Sequence, residues 1–364
     1  MAIPEDEGYL ERAFELAAVE QRVSPNPRVG AVLVRDGRIV GEGRHLGPGT
    51  PHAEAAALSA AGEAARGATL YVTLEPCCHY GHTPPCTEAI LAAGVARVVA
   101  PIEDPNPKVS GQGFSALRSG GVAVEVGALA ARAREINRDY LHWRRTGRPL
   151  VTAKWALSLG GQSAARTGRS LYMTGPLARA EAHRLRAAHD AVLVGIGTAL
   201  LDDPQLTVRD APGPSPLRVV LDAKARLPLG ARLLGAPGGS LVYVADDAPA
   251  ERRRALAEVA EVAAVGPGPL LPLEEVLLDL GRRGVTSLLV EGGATVHGQL
   301  FDLGLVDRVA VFVAPLVLGG AEAPPGVAGL GAQEPAAGVR FREGSWRVLG
   351  EDACFMGTVE RGGS

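Results

Sequence analysis

The sequence is short of cysteine, of long apolar runs and of charge excess, and each shortage removes a class of protein. Four cysteines in 364 residues do not make a disulfide framework, and three of them crowd between positions 77 and 86. No stretch approaches the roughly 18 apolar residues that a membrane-crossing helix needs. Net charge is only −3, and no long basic run offers an electrostatic footprint for DNA or RNA. Glu5, Asp6, Glu7, Glu11 and Glu15 stand where a secretory signal would be basic. The expectation is a cytoplasmic protein with reduced thiols, no membrane partner and no nucleic-acid partner.

What the chain does have is length and patterning. At 364 residues and 46% hydrophobic content it suits two domains better than one core. Tyr9, Leu10, Ala13, Phe14 and Ala17 recur at helical steps, which predicts an amphipathic helix over Glu5–Gln21. Val29–Val34 and Gly37–Gly41 flank Arg35-Asp36-Gly37, a hairpin turn signal. Helices from Ala53, from Thr87 and over Leu129–Trp143 then alternate with strands Thr69–Leu74 and Val95–Ala100. This reads as an α/β/α sandwich. Thr146-Gly147-Arg148-Pro149 has turn chemistry, which puts a domain boundary between residues 1–147 and 148–364.

Alternation resumes beyond the boundary. Strands are expected at Leu150–Ala156, Asp190–Val194, Leu217–Leu221, Ser240–Ala245 and Ser287–Val290, with helices at Pro176–Ala188, Ala250–Val259 and Leu273–Arg282. Such alternation implies a largely parallel sheet covered on both faces.

The chemistry gathers in the first half. His52-Ala-Glu54 is followed by Cys77, 25 residues after His52, and by Cys86. One imidazole and two thiolates are three of the four ligands of a tetrahedral zinc, and a free fourth position marks a catalytic site. Zinc brings a bound water toward a neutral pKa, and Glu54 is placed to shuttle its proton. A closed structural zinc with His79 or His82 as fourth ligand is the competing reading, although such a site has no use for Glu54. Cys78 reads as a packed thiol turned away from its neighbour. Cys86, near a helix start, gains from the positive end of the helix dipole.

The second half carries weaker signals. Glu291-Gly292-Gly293 closes a strand and opens a helix, where backbone amides can meet a phosphate. Val194-Gly195-Ile196-Gly197-Thr198 lacks the third glycine of the dinucleotide fingerprint, so a standard Rossmann domain is not expected. Arg186 and Arg209 are candidates for forked phosphate contacts or for plain solvated arginines. Lys154 interrupts an apolar strand and reads either as solvent-facing or as part of a site.

Taken together these motifs resemble the bifunctional riboflavin-biosynthesis deaminase-reductase family over nearly the whole chain. The likeness rests on Asn26-Pro-Arg-Val-Gly30, His52-Ala-Glu54, Leu74-Glu-Pro-Cys77, Thr83-Pro-Pro-Cys86 and Asp104-Pro-Asn106-Pro107, then on Lys154-Trp-Ala-Leu-Ser158, Asp202–Arg209 and Glu291-Gly-Gly293. It implies a zinc-dependent, cytidine-deaminase-like domain followed by a dihydrofolate-reductase-like domain using NADPH. The implied substrate is a phosphorylated diaminopyrimidinone ribosylamine. Deamination would come first and reduction of the ribosyl group to ribityl second. By motif position, Asn26, His45, His79 and Asn106 fall on the deaminase substrate. Ala156, Tyr172, Thr198, Asp202 and Gly293 fall on the reductase cofactor, and Lys154, Ser170, Arg186, Leu206, Arg209 and Glu291 on its substrate. His82 stands where the family often has a lysine or arginine, Leu159-Gly160-Gly161 replaces Leu-Asp-Gly, and Tyr172 stands where tryptophan occurs. A homo-oligomer is compatible with the resemblance. The alternative is a deaminase whose carboxyl-terminal half is an inactive or differently specific binding domain.

Overall fold

The computed structural model describes residues 4–18, 22–81, 84–169 and 173–361. The chain divides into two compact units, Met1–Gly147 and Arg148–Ser364.

The first unit runs α1 (Pro4–Ala17), β1 (Gly30–Arg35), β2 (Arg38–Arg44), α2 (Ala53–Ala61), β3 (Thr69–Val72), α3 (Cys86–Ala92), β4 (Arg97–Ala100), α4 (Gln112–Ser119), β5 (Ala123–Val126), α5 (Ala130–Ile136) and α6 (Arg138–Thr146). Its five strands lie in the order β2-β1-β3-β4-β5. β1 pairs antiparallel with β2 and β3, and β3, β4 and β5 are parallel. Alternating strand residues feed two faces. Ala31, Leu33, Leu70 and Val98 join Ala57, Ile90 and Phe114 beneath α2, α3 and α4, whereas Val32, Val34, Tyr71 and Val99 pack on Leu10 and Ala13 of α1. The unit is therefore an α/β/α sandwich.

Two local choices aim the functional side chains. Asp36 and Gly37 both adopt left-handed φ, 51° and 71°, which closes the β1–β2 hairpin tightly. In β2, a Cβ on Gly43 would overlap the Ala53 carbonyl oxygen, so glycine there lets the start of α2 lie directly on the sheet.

The single helix expected over Leu129–Trp143 is two. Asn137 leaves helical geometry at φ −112°, ψ 22°. Its buried amide accepts from Arg28 N–H at 2.7 Å and donates to Arg28 carbonyl at 2.9 Å. A side chain that replaces two backbone partners of another segment explains a break which helical periodicity does not show. The strand expected over Thr69–Leu74 stops at Val72, and the helix expected to reach Gln21 ends at Ala17, with residues 19–21 outside those described.

The second unit contains β6 (Leu150–Ser158), α7 (Pro176–Ala188), β7 (Ala191–Gly195), α8 (Ile196–Asp202), β8 (Leu217–Leu221), β9 (Ser240–Val244), α9 (Ala250–Ala257), β10 (Glu261–Ala264), α10 (Leu273–Arg282), β11 (Ser287–Val290), α11 (Ala294–Asp302), β12 (Arg308–Ala314), β13 (Phe341–Leu349) and β14 (Asp352–Val359). The strand order is β10-β9-β8-β7-β11-β6-β12-β14-β13. Strands β10 to β12 along that order are parallel, and β14 and β13 add an antiparallel hairpin at one edge. Separate apolar clusters cover the two faces.

Topology locates the crevice. The chain leaves β6 for β7, winds outward to β10, and returns to insert β11 between β7 and β6 before crossing to β12. Ligands of open α/β sheets collect at the carboxyl ends of strands where the winding reverses. Here those ends carry Lys154 to Ala156, Gly195 and Glu291. Among the described residues, no helix is long and apolar enough to cross a membrane.

Candidate active sites

In the first unit, His52 sits at the amino-terminal cap of α2 with extended backbone, φ −69° and ψ 159°. Glu54 follows in the first turn and is 4% exposed. Cys77 lies in the loop after β3, and Cys86 opens α3. His52 Nδ1 is 3.2 Å from Cys86 Sγ and 3.5 Å from Cys77 Sγ, and the three ligand atoms all fall within 4.8 Å of one another. Around a tetrahedral zinc with ordinary bond lengths, N···S and S···S separations come to roughly 3.5–3.8 Å. The donor set and its spacing fit zinc.

The electrostatics suit a metal. A shared proton from Cys86 and bonding to His52 hold the Cys77 thiol well below its ordinary range, while the same shared proton and burial push Cys86 up. Burial, then the charge of Cys77, push Glu54 up to about 7. A bound dication would be the largest local charge and would oppose that rise. Cys78 turns aside to the Lys108 carbonyl at 3.5 Å and takes no part in the cluster.

Two further expected residues join this site. His45 stacks edge-on against His52 with ring centres 5.4 Å apart. Its Nδ1 faces the Pro51 carbonyl at 3.1 Å, and its Nε2 faces Asn26 Nδ2 at 2.8 Å. A carbonyl only accepts, so Nδ1 carries the proton and Nε2 accepts from Asn26. That fixes the Asn26 amide with its oxygen free to accept from a ligand. Burial, against a bond to Pro51, lowers the His45 pKa and favours this neutral tautomer.

His79 and Asn106 sit in neighbouring loops with local contacts. The His79 ring meets the Tyr80 carbonyl, and Asn106 Oδ1 accepts from Lys108 N–H at 3.2 Å. His82 lies outside the described residues. Sequence reasoning missed Glu75, although it stands in the Leu74–Cys77 motif. Its buried carboxylate accepts N–H groups of Asp104, Gly111 and Phe114 at 3.0–3.1 Å. It thereby ties the Asn106 loop to the Cys77 loop.

In the second unit a cavity of about 780 Å³ gathers Lys154, Ala156, Arg186, Thr198, Asp202, Leu206, Arg209, Glu291 and Gly293. These are all the expected reductase residues that are described, since Ser170 and Tyr172 lie outside the described residues. Lys154 faces inward: Nζ is 3.5 Å from Glu291 Oε2 and 5.6 Å from the Phe312 ring centre. The fork of Arg186 goes to Glu291, through Nε at 2.5 Å and Nη2 at 2.9 Å, while Nη1 donates to the Thr207 carbonyl. Arg209 is exposed at the rim, where Nη1 donates to Thr207 Oγ1 at 2.8 Å and Gln205 Oε1 at 3.1 Å. Burial alone would raise the Glu291 pKa, but the charges of Arg186 and Lys154 carry it far below the carboxylate range.

The same wall holds two buried histidines that sequence reasoning did not select. His183 Nδ1 accepts Arg209 N–H at 3.2 Å, and burial with the charges of Arg186 and Arg209 keeps its pKa low. His297, on α11, contacts the carbonyls of Gly326 and Val290 and lies 5.4 Å from the Trp155 ring. A helical histidine gives no sequence signal of facing a site rather than a core.

Comparison with known proteins finds a family match in each unit. Residues 3–101 match the model of the cytidine and deoxycytidylate deaminase zinc-binding region, and residues 149–355 match the RibD C-terminal domain. The riboflavin biosynthesis protein RibD of Aquifex aeolicus is 40% identical over 353 residues, covering 96% of this chain and 98% of that protein. The Escherichia coli protein of the same name is 40% identical over 366 residues with the same coverage. Among solved structures, Acinetobacter baumannii RibD is 37% identical with a TM-score of 0.89, covering 98% of this chain and 99% of that one. A Thermotoga maritima diaminohydroxyphosphoribosylaminopyrimidine deaminase/5-amino-6-(5-phosphoribosylamino)uracil reductase is 34% identical with a TM-score of 0.85, at equal coverage.

Proposed function

We propose, from the premise that this chain belongs to the family of riboflavin biosynthesis protein RibD, a bifunctional deaminase and reductase, the following division of labour. Residues 1–147 hydrolyse the exocyclic amine of 2,5-diamino-6-ribosylamino-4(3H)-pyrimidinone 5′-phosphate. Residues 148–364 then reduce its ribosyl group to ribityl with NADPH. The observation that carries the reading is convergence. His52, Cys77 and Cys86 come within 4.8 Å of one another in one unit, and motifs spread over 140 residues of sequence line one cavity in the other.

His52 Nδ1, Cys77 and Cys86 would hold the zinc, which supplies Lewis acidity and a water of near-neutral pKa. Glu54 takes one proton from the attacking water and gives it to the ring nitrogen, then carries the remaining hydroxyl proton to the departing amine, so water and the aminopyrimidine give the carbonyl and ammonia. Asn26, its amide fixed by His45, accepts a substrate N–H. His79 and Asn106 complete the substrate side from the two loops that Glu75 joins.

In the second unit Ala156, Thr198, Asp202 and Gly293 line the cofactor side, with Tyr172 assigned there by motif position. Lys154 and Leu206 face the ribosyl group, and Ser170 is assigned with them. Arg209 at the rim offers an open cation to the 5′-phosphate. Arg186 acts as a positioning residue: its fork holds Glu291 ionised, and Glu291 in turn holds the Lys154 ammonium.

Zinc-loaded protein given this substrate and NADPH, with ammonia and NADPH followed in one sample, tests the reading. Loss of the amine followed by NADPH oxidation is expected. Ammonia without NADPH oxidation would leave a deaminase with a binding domain, and neither signal would return the zinc to a structural role. Glu54→Gln should keep its zinc and lose ammonia release by about 10²–10⁴-fold. Full turnover in that variant would remove Glu54 from proton transfer.

A further inference from the structure

A second cavity of about 340 Å³ opens beside the first at the carboxyl ends of β7 and β8. The two are lined by successive residues of the same two segments. Thr198, Gly293 and Ala294 face the larger cavity, Gly195 and Thr295 face the smaller one, and Gly197 faces both. A molecule long enough to leave the larger cavity along these segments enters the smaller one.

The smaller cavity differs in charge. The larger is walled by Asp202, Asp210 and Glu291 as well as by cations. Among the described residues that line the smaller one, the charged groups are Lys224 and Arg226, and none is a carboxylate. These two cations are presented by a braced loop. Ala225 and Leu227 are fully buried, so their neighbours Lys224 and Arg226 point outward. Asp222 accepts Leu227 N–H at 2.7 Å, and Arg252 donates to the carbonyls of Ala225 and Leu227 at 3.0 and 2.9 Å. Arg226 itself is held loosely, 3.9 Å from Asp222 with its side chain 55% exposed. Leu270, 60% exposed, adds an apolar side chain to the same wall.

Sites that prefer the unphosphorylated dinucleotide set a carboxylate against the adenosine ribose 2′-hydroxyl, and sites for the phosphorylated form set a cation there. We propose that the smaller cavity receives the adenosine end of the nicotinamide cofactor, with Lys224 and Arg226 pairing its 2′-phosphate and Leu270 covering the adenine. These two residues then determine the preference for NADPH over NADH. The inference rests on the reductase reading above and adds to it the residues that read the 2′-phosphate.

Direct binding, without turnover, separates the two. The probes are NADPH, NADH, 2′,5′-ADP and 5′-AMP, measured by calorimetry on the full zinc-loaded chain. The wild type should bind NADPH at least ~10-fold more tightly than NADH and 2′,5′-ADP more tightly than 5′-AMP. The variant Lys224→Ala/Arg226→Ala should lose ~10–100-fold in affinity for NADPH and 2′,5′-ADP while its affinity for NADH changes less than ~2-fold. Lys224→Gln, which leaves the Arg226–Asp222 pair in place, should show a smaller loss of the same selectivity. Equal affinities for the four probes before and after substitution, or equal losses for NADPH and NADH, would overturn the assignment. Failure of the wild type to bind either dinucleotide would overturn the reductase reading itself, and this inference with it.

Discussion

Glu291 shows how one side chain can be both structural and functional. Its carboxylate is 7% exposed and meets two cations, Arg186 and Lys154, that line the same cavity. Because its folded pKa lies below the unfolded value of about 4.3, its contribution to stability is complete above that pH and fades as pH falls beneath it. Arg186 and Lys154 thus favour the ionised form of Glu291. Glu291→Gln leaves two part-buried cations without their counter-charge and should cost the second unit about 3 kcal/mol at pH 7. The penalty should shrink toward pH 3, because below about 4.3 the unfolded wild type binds a proton on this carboxylate that the folded protein must release. Urea unfolding of both proteins from pH 7 to pH 3 checks this; parallel stability curves would mean that the carboxylate charge contributes nothing.

At the scale of elements, the break between α5 and α6 depends on Asn137. With its amide removed, the half-buried N–H and carbonyl of Arg28 lose their partners, so Asn137→Ala should cost about 2–4 kcal/mol in the first unit. Denaturation of the variant within ~0.5 kcal/mol of the wild type would show that water replaces the amide. This break was invisible in the sequence because periodicity reports which face a helix buries and not where a distant backbone needs a partner. Elements with strong patterns were legible: α7, α10, β8 and β11 fall on the ranges expected. β13 was not, because nearly every one of its residues is exposed and no apolar alternation marks it. The zinc ligands were legible through the telling spacing of an imidazole and two thiols, whereas Glu75 and His183 stand out only through partners that lie far along the chain, Phe114 and Arg209.

At the scale of the whole molecule, the two sites should announce themselves through different ligands. Among the described residues every apolar cluster is drawn from one unit, so each unit has its own core. A ligand that binds only the folded form stabilises the unit that binds it, by about 2.7 kcal/mol at a concentration 100 times its dissociation constant. For a unit of 150 to 250 residues that corresponds to a rise of roughly 5–10 °C in midpoint. NADPH should therefore raise the melting of residues 148–364, and removal of zinc by a chelator should lower that of residues 1–147, where three ligands tie α2, α3 and the loop between β3 and α3 together. Calorimetry with limited proteolysis to assign each transition makes the comparison. If the chelator leaves both transitions in place, His52, Cys77 and Cys86 do not hold a metal in the folded protein, and the deaminase reading loses its foundation. If NADPH shifts the transition of residues 1–147 instead, the cofactor does not occupy the cavity formed by Lys154, Thr198 and Gly293, and the assignment of its 2′-phosphate to Lys224 and Arg226 falls as well.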